Sequence, residues 1–166
     1  IDTLSDGFDS DFSEGTIEGG LFQDIGKAGG GDGLDLSGSK VMVNGSHFRN
    51  ISDKGLSVGE QSEVKATNLI IEHVGTGAAS KDSSELEISN STINQAENAG
   101  LMAYIKKPAQ FGPARIDAKA MKFIGTNVPA QAQKGSSITI DGVPVTTEEI
   151  DVDQLYKTIM KPSRLK

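Results

Sequence analysis

"GDGLDLSGSKVMVNGSHF", residues 31–48, supports two incompatible readings. Its glycines, aspartates and lysine suggest a loop that cradles phosphate. Its apolar residues alternate instead: Leu34 and Leu36, then Val41 and Val43, then Phe48. A phosphate loop must open a helix, because free N–H groups and the helix dipole bind the anion. Here Lys40 leads straight into Val41-Met42-Val43-Asn44, which has the period of a strand. The nucleotide reading fails there.

The stretch is one copy of a repeat. The pattern Ser-x-Φ-x-Φ, with a further apolar Φ five residues on, fits Ser39, Val41, Val43 and Phe48. It returns as Ser62, Val64, Ala66, Ile71, as Ser84, Leu86, Ile88, Ile93, and as Ser136, Ile138, Ile140, Val145. A degenerate copy has Ala114, Ile116, Ala118, Phe123, and a worn first copy has Ser13, Gly15, Ile17, Phe22. The leading residues lie 26, 23, 22, 30 and 22 apart. A second alternating segment follows a glycine each time, at Gly33-Leu34-Asp35-Leu36, Gly55-Leu56-Ser57-Val58, Gly77-Ala78-Ala79-Ser80 and Gly100-Leu101-Met102-Ala103.

Two residues after the second Φ stand Gly19, Gly45, Asn68, Asn90, Ala120 and Gly142. Glycine and asparagine enter the left-handed region at least cost, so this column predicts a tight corner between strands. Asn68 and Asn90 are placed to stack their amides. Three short alternating strands and a sharp corner every 22–23 residues predict an all-β, right-handed parallel β-helix of about six coils. No coil can bury its inward face alone, so coils must stack. A leucine-rich repeat has a similar period, but its Leu-x-x-Leu-x-Leu signature is missing. A sandwich needs hairpins, and no two-residue turn joins the strands at constant register.

Composition agrees. The 20 glycines, two tyrosines and absent tryptophan suit thin repetitive β-structure. No cysteine is present, which excludes disulfides and thiolate metal sites. A net charge of −7 argues against nucleic acid, and no apolar run predicts membrane insertion. An acidic chain rich in Gly, Ser and Asn that lacks cysteine fits a bacterial protein that is secreted or on the cell surface. The start at Ile1 suggests a piece of a longer chain with other domains. The expected division is a β-helix over 1–145 and a C-terminal cap over 146–166. In the latter, Thr146 or Thr147 caps a helix, Ile150, Leu155, Ile159 and Met160 form its apolar stripe, and Pro162 ends it. This helix is expected to cover the last coil, since open β-helix ends expose unpaired strand edges.

With these residues in place, the pattern resembles the pectate-lyase-like superfamily of right-handed β-helices. "DFSEG", "GDGLDLSGS", "DKGLSVGE", "ASKDSS" and "AYIKK…FGPA" are similar to uncharacterised bacterial β-helix regions found beside spore-coat protein H-like kinase domains. The likeness spans roughly residues 9–126 and supplies no catalytic residue. It implies that a ligand would lie on the outward face of the first sheet. There the repeat register places Asp35, Ser57, Ala79 and Met102 in one column and Ser37, Gly59, Lys81 and Tyr104 in the next. Asp32, Asp53 and Lys54 precede these strands, and Glu60, Asp82, Lys106 and Lys107 follow them. The long 30-residue interval sets "IKKPAQFGP" beside the same face.

That strip has two readings. As a polysaccharide lyase or epimerase acting on an acidic polysaccharide, it needs a cation to neutralise a uronate, a base for the C5 proton and an acid for the leaving oxygen. Lys81 would be the base and Tyr104 the acid, with Asp32, Asp35 and Glu60 as oxygen ligands for Ca²⁺. As a scaffold, it is a charge ladder in which Lys54, Glu60, Lys81 and Asp82 pair between rungs. The ladder is favoured, because no histidine or arginine joins the group. The expected function is thus a non-catalytic module, a scaffold or one that interacts with a polysaccharide or cell-surface component. Its substrate-binding candidates are Asp35, Ser57, Lys54, Glu60, Lys81, Asp82, Tyr104, Lys106 and Lys107. His47 and His73 fall in different columns and predict no shared metal. The aspartates Asp6, Asp9 and Asp11 miss EF-hand spacing.

Overall fold

The computed structural model describes residues 3–27, 29–158 and 160. Its regular structure is all strand but for one short helix, wound as about six coils of a parallel solenoid. Second strands form one sheet: β2 (Glu14–Glu18), β5 (Lys40–Asn44), β7 (Glu63–Thr67), β9 (Glu85–Ser89), β11 (Arg115–Lys119) and β14 (Ser137–Ile140). First strands are β1 (Phe8–Asp11), β4 (Leu34–Ser37), β13 (Ala130–Gln133) and the C-terminal halves of β6 (His47–Gly59), β8 (Ile70–Lys81) and β10 (Thr92–Tyr104). The N-terminal halves of those long strands, with β3 (Leu21–Ile25) and β12 (Lys122–Ile124), are third strands.

The repeat columns found in the sequence are the rungs of the structure. Val41, Val64, Leu86, Ile116 and Ile138 stack in register inside the solenoid. Phe48, Ile71 and Ile93 do the same on the third strands. The leading serine bonds a backbone group that the corner would otherwise strand. Ser39, Ser62 and Ser84 each accept the N–H of the preceding rung's serine, at 3.0, 2.9 and 3.1 Å. Ser136 likewise accepts the N–H of Ala114 at 3.1 Å. A buried corner N–H has no sheet ladder to join, so a hydroxyl there is worth more than a methyl. The glycines before the first strands answer a different need. A Cβ on Gly33, Gly55, Gly77 or Gly100 would sit 2.6, 2.8, 2.4 or 2.6 Å from a carbonyl oxygen of the next rung.

The predicted corner column is left-handed throughout, with φ from 50° at Asn90 to 79° at Gly142. Its amide contact differs from expectation, since Asn68 donates to Asn44 Oδ1 at 3.0 Å. Two further left-handed columns were not read from the sequence. One turns the first strand into the second, at Gly38, at Glu60 and Gln61, and at Asp82 and Ser83. The other bends the third strand, at Asp24, Asn50, His73 and Gln95.

The C-terminal end corrects the sequence reading. Asp141 and Gly142 form the two-residue turn of a hairpin, and β15 (Val143–Pro144) runs antiparallel to β14. Gly142 keeps its left-handed φ, but the chain reverses there instead of winding on. The β16 strand (Thr147–Glu148) still pairs with β13, so first-sheet pairing reaches past residue 145. The single described helix, α1 (Val152–Thr158), starts at Asp151, whose carboxylate accepts the Gln154 N–H at 2.8 Å. Neither Thr146 nor Thr147 caps it. It does not cover the last coil: Val152, Leu155 and Met160 pack with Ala79, Ala99, Met102 and Tyr104 on the outward face of the first sheet. The hairpin ends the second sheet, so the helix is free to lie on the flank. Ile159 and Pro162 lie outside the described residues.

Candidate functional site

The site is built where the third strand bends into the first. Between Ile51 and Lys54 the pairing of β6 with β8 shifts register, so two residues of β6 stand opposite one of β8. A bulge of this kind re-aims side chains. It turns Asp53 and Lys54 under the C-terminal segment, where both are almost fully buried. Gly75 permits the close passage, since a Cβ there would meet the Asp53 carbonyl oxygen at 2.7 Å.

Lys54 is the centre of the cluster. Its Nζ donates to Asp53 Oδ2 at 2.7 Å and to Asp32 Oδ1 at 3.3 Å, and it lies 5.5 Å from the centroid of the Tyr156 ring. Asp32 Oδ1 also accepts the Lys54 backbone N–H at 3.0 Å. Burial works against the ammonium charge, but Asp32, Tyr156 and Asp53 together outweigh it and raise the Lys54 pKa. Burial pushes the Asp53 carboxyl up, and Lys54 offsets part of that rise.

The register predicted for the face holds: Asp35, Ser57, Ala79 and Met102 occupy one column, and Lys81 stands beside Tyr104. Lys81 Nζ is 3.7 Å from Asp35 Oδ1, close enough for an ion pair and too far for a hydrogen bond. Tyr104 is fully buried, and its hydroxyl meets that of Tyr156 at 2.8 Å with the rings edge to face. Burial, then the Tyr156 hydroxyl, raises the Tyr104 pKa well above the ordinary phenol value. Lys106 stacks its ammonium 4.7 Å from the Tyr156 centroid. Lys107 pairs with Glu60. Asp82 is buried and accepts the backbone N–H groups of Lys106 and Lys107 at 2.7 and 2.8 Å, anchoring the start of the long loop.

The strip therefore pairs between rungs, with partners other than those expected. Lys54 takes Asp32 and Asp53, Lys81 takes Asp35, and Glu60 takes Lys107. The three oxygen ligands proposed for Ca²⁺, Asp32, Asp35 and Glu60, each face a different lysine. Among the described residues, no group of three His, Asp or Glu is placed to hold a metal ion. His47 bonds Glu72 at 2.9 Å on the third strands, while His73 lies exposed in the bent column. Among the described residues, three buried side-chain atoms have no hydrogen-bond partner: Asp35 Oδ1, which faces Lys81 Nζ, Asp53 Oδ1 and Ser57 Oγ.

Sequence reasoning missed Tyr156, on which the face converges. The signal was there: Val152, Leu155, Tyr156 and Met160 share one side of a helix, and Tyr156 is one of two tyrosines in the chain. It also missed Gln133, whose amide takes the Ile105 N–H at 2.7 Å and donates to the Ile150 carbonyl at 3.3 Å.

Comparison with curated proteins and with solved structures yields no match. The family profile described as "Right handed beta helix region" matches residues 3–111. Those residues include the first four copies of the repeat, the serine ladder from Ser39 to Ser84, the glycine column and the bend that carries Lys54. The chain belongs to the right-handed β-helix region family.

Proposed function

We propose that this chain is a non-catalytic β-helix module, a rigid scaffold of a secreted or cell-surface protein. One observation carries the reading: the groups a lyase would need are already engaged with one another. Lys81 lies against Asp35, the Tyr104 hydroxyl is bonded to Tyr156, and Lys54 is held between two carboxylates beneath α1. A general base must come within about 3 Å of the proton it removes. Tyr104 is fully buried and Lys81 nearly so, which keeps both from a substrate proton at that distance. The strip instead links the rungs at Asp32, Asp53 and Asp35 to one another through buried ion pairs.

The test is direct. Polygalacturonate, alginate and glycosaminoglycans are incubated with the chain, with and without Ca²⁺, and absorbance of unsaturated products is followed. Solvent deuterium exchange into the same polymers detects an epimerase, which makes no such product. The expected result is no change in either assay. Product or exchange that depends on Lys81 would replace the scaffold reading with the lyase or epimerase reading.

A further inference from the structure

On the outward side of the first sheet, Asp9, Asp35, Ser57, Ala79 and Met102 stand in one column, one residue per rung. Helix α1 packs at the Ala79 and Met102 end of that column. The Asp9 end is open and acidic. Asp9 and Asp11 are exposed on β1, and among the described residues neither has an ion pair. Asp35 has Lys81, at 3.7 Å. Burial, then the charges of Asp35, Asp11, Asp6 and Asp32, raises the Asp9 pKa, the mark of an unbalanced negative field. Ser57 stands between the two ends of the column, fully buried, and its hydroxyl has no hydrogen-bond partner.

The chain runs toward the open end. Ile150 is tied to Gln133 of β13, whereas Tyr156 meets Tyr104 of β10 and lies over Lys54 of β6. Met160 is buried in the same cluster as Ala79 and Met102. After it the sequence reads Lys161-Pro162-Ser163-Arg164-Leu165-Lys166, with three cations and no acidic side chain. From Ala79 to Asp9 is three rungs, about 14 Å at the usual strand spacing. Six residues can span about 20 Å, so the segment is long enough to reach Asp9.

We propose that the Asp9–Asp35 part of this face is a docking surface for a basic peptide segment, and that its occupant is residues 161–166 of the same chain. Charge selects the class of occupant. Exposed carboxylates in adjacent rungs repel one another until a cation lies between them, and the five donors of Arg164 can serve both Asp9 and Asp35. The path selects the segment, because α1 delivers Lys161 to the column on which those carboxylates stand. A peptide group passing Ser57 supplies the partner that its hydroxyl lacks. The inference is independent of the scaffold reading.

The chain has no cysteine, so Ser163→Cys gives a single attachment point for a nitroxide and keeps all three cations. Paramagnetic broadening of amide signals then reports what the segment approaches. At low salt, the amides of β1 and β4 should broaden. Combining Asp9→Asn with Asp11→Asn should reduce that broadening at least twofold, and so should Arg164→Gln with Lys166→Gln. A second measurement needs no label. Carboxyl-carbon titration by NMR should show the Asp9 pKa higher in Arg164→Gln, Lys166→Gln than in the unaltered chain, because two cations have left the field of Asp35, Asp11, Asp6 and Asp32. Sharp β1 and β4 signals overturn the proposal, as does broadening that ignores both pairs of substitutions. An Asp9 pKa unmoved by the loss of Arg164 and Lys166 overturns it even if a labelled variant fails to fold. Mixing nitroxide-bearing chain with isotope-labelled, nitroxide-free chain separates the sources. Broadening of β1 in that mixture would make the occupant a second copy and contradict docking within one chain.

Discussion

Replacing Lys54 with alanine destabilises the chain by about 3–5 kcal/mol, the usual cost of removing one partner from a buried ion pair. The reason is what remains. Asp32 and Asp53 are left almost fully buried with no ammonium to pair with. Urea denaturation at neutral pH measures the loss as a shift in midpoint at constant slope. The pH dependence has a defined sign. The folded pKa of Lys54 is raised, so its contribution is complete below the free lysine value of about 10 and declines only in stronger alkali. In Lys54→Ala, the deficit should shrink as the solution is acidified. There the abandoned Asp53 carboxyl takes up a proton, since burial already favours its neutral form. The combined variant Lys54→Met, Asp32→Asn, Asp53→Asn should recover most of the loss, because it leaves no unpaired charge. A single variant as stable as the parent at pH 7 would mean that the cluster holds nothing together.

Phe48→Ala should cost a similar amount, about 3–5 kcal/mol, by a different route. Phe48 is fully buried and stacks flat on Phe22, with centroids 4.7 Å apart and planes 5° from parallel. Its ring fills space that the glycine column leaves, for a Cβ on Gly33 would meet Phe48 Cδ1 at 2.9 Å. Neighbouring rungs are held by backbone ladders and cannot collapse into the void, so the cavity persists. Phe12, 84% exposed at the first corner, is the control, and its alanine variant should fall within about 0.5 kcal/mol of the parent. Thermal or urea unfolding distinguishes the two outcomes.

How much of this was legible depends on what each residue answers to. The coil register is written locally, in serines, alternating apolar residues and corner glycines, and it is legible up to the second strand of the last copy. Asp35, Ser57, Ala79 and Met102 therefore fall in one column by sequence alone, as they do in the structure. The ion-pair partners were not legible, because the bulge at Ser52 and Asp53 turns Lys54 toward Asp32 rather than along its rung. The hairpin was hidden by its own glycine. Gly142 meets the demand of the corner column and equally that of a two-residue reverse turn, and only the following Val143 and Pro144 decide between them. The place of α1 was the least legible, since an amphipathic stripe states that a helix packs and not what it packs on.

The most direct test of the central claim uses the only two tyrosines in the chain. If α1 seals the first-sheet face, the rings of Tyr104 and Tyr156, with centroids 6.2 Å apart, must show a strong nuclear Overhauser cross-peak in solution. With Lys54 and Lys106 over its ring, Tyr156 should also shift away from unfolded-peptide values. A Tyr156 ring at those values, with no cross-peak to Tyr104, would show an open face and contradict the account.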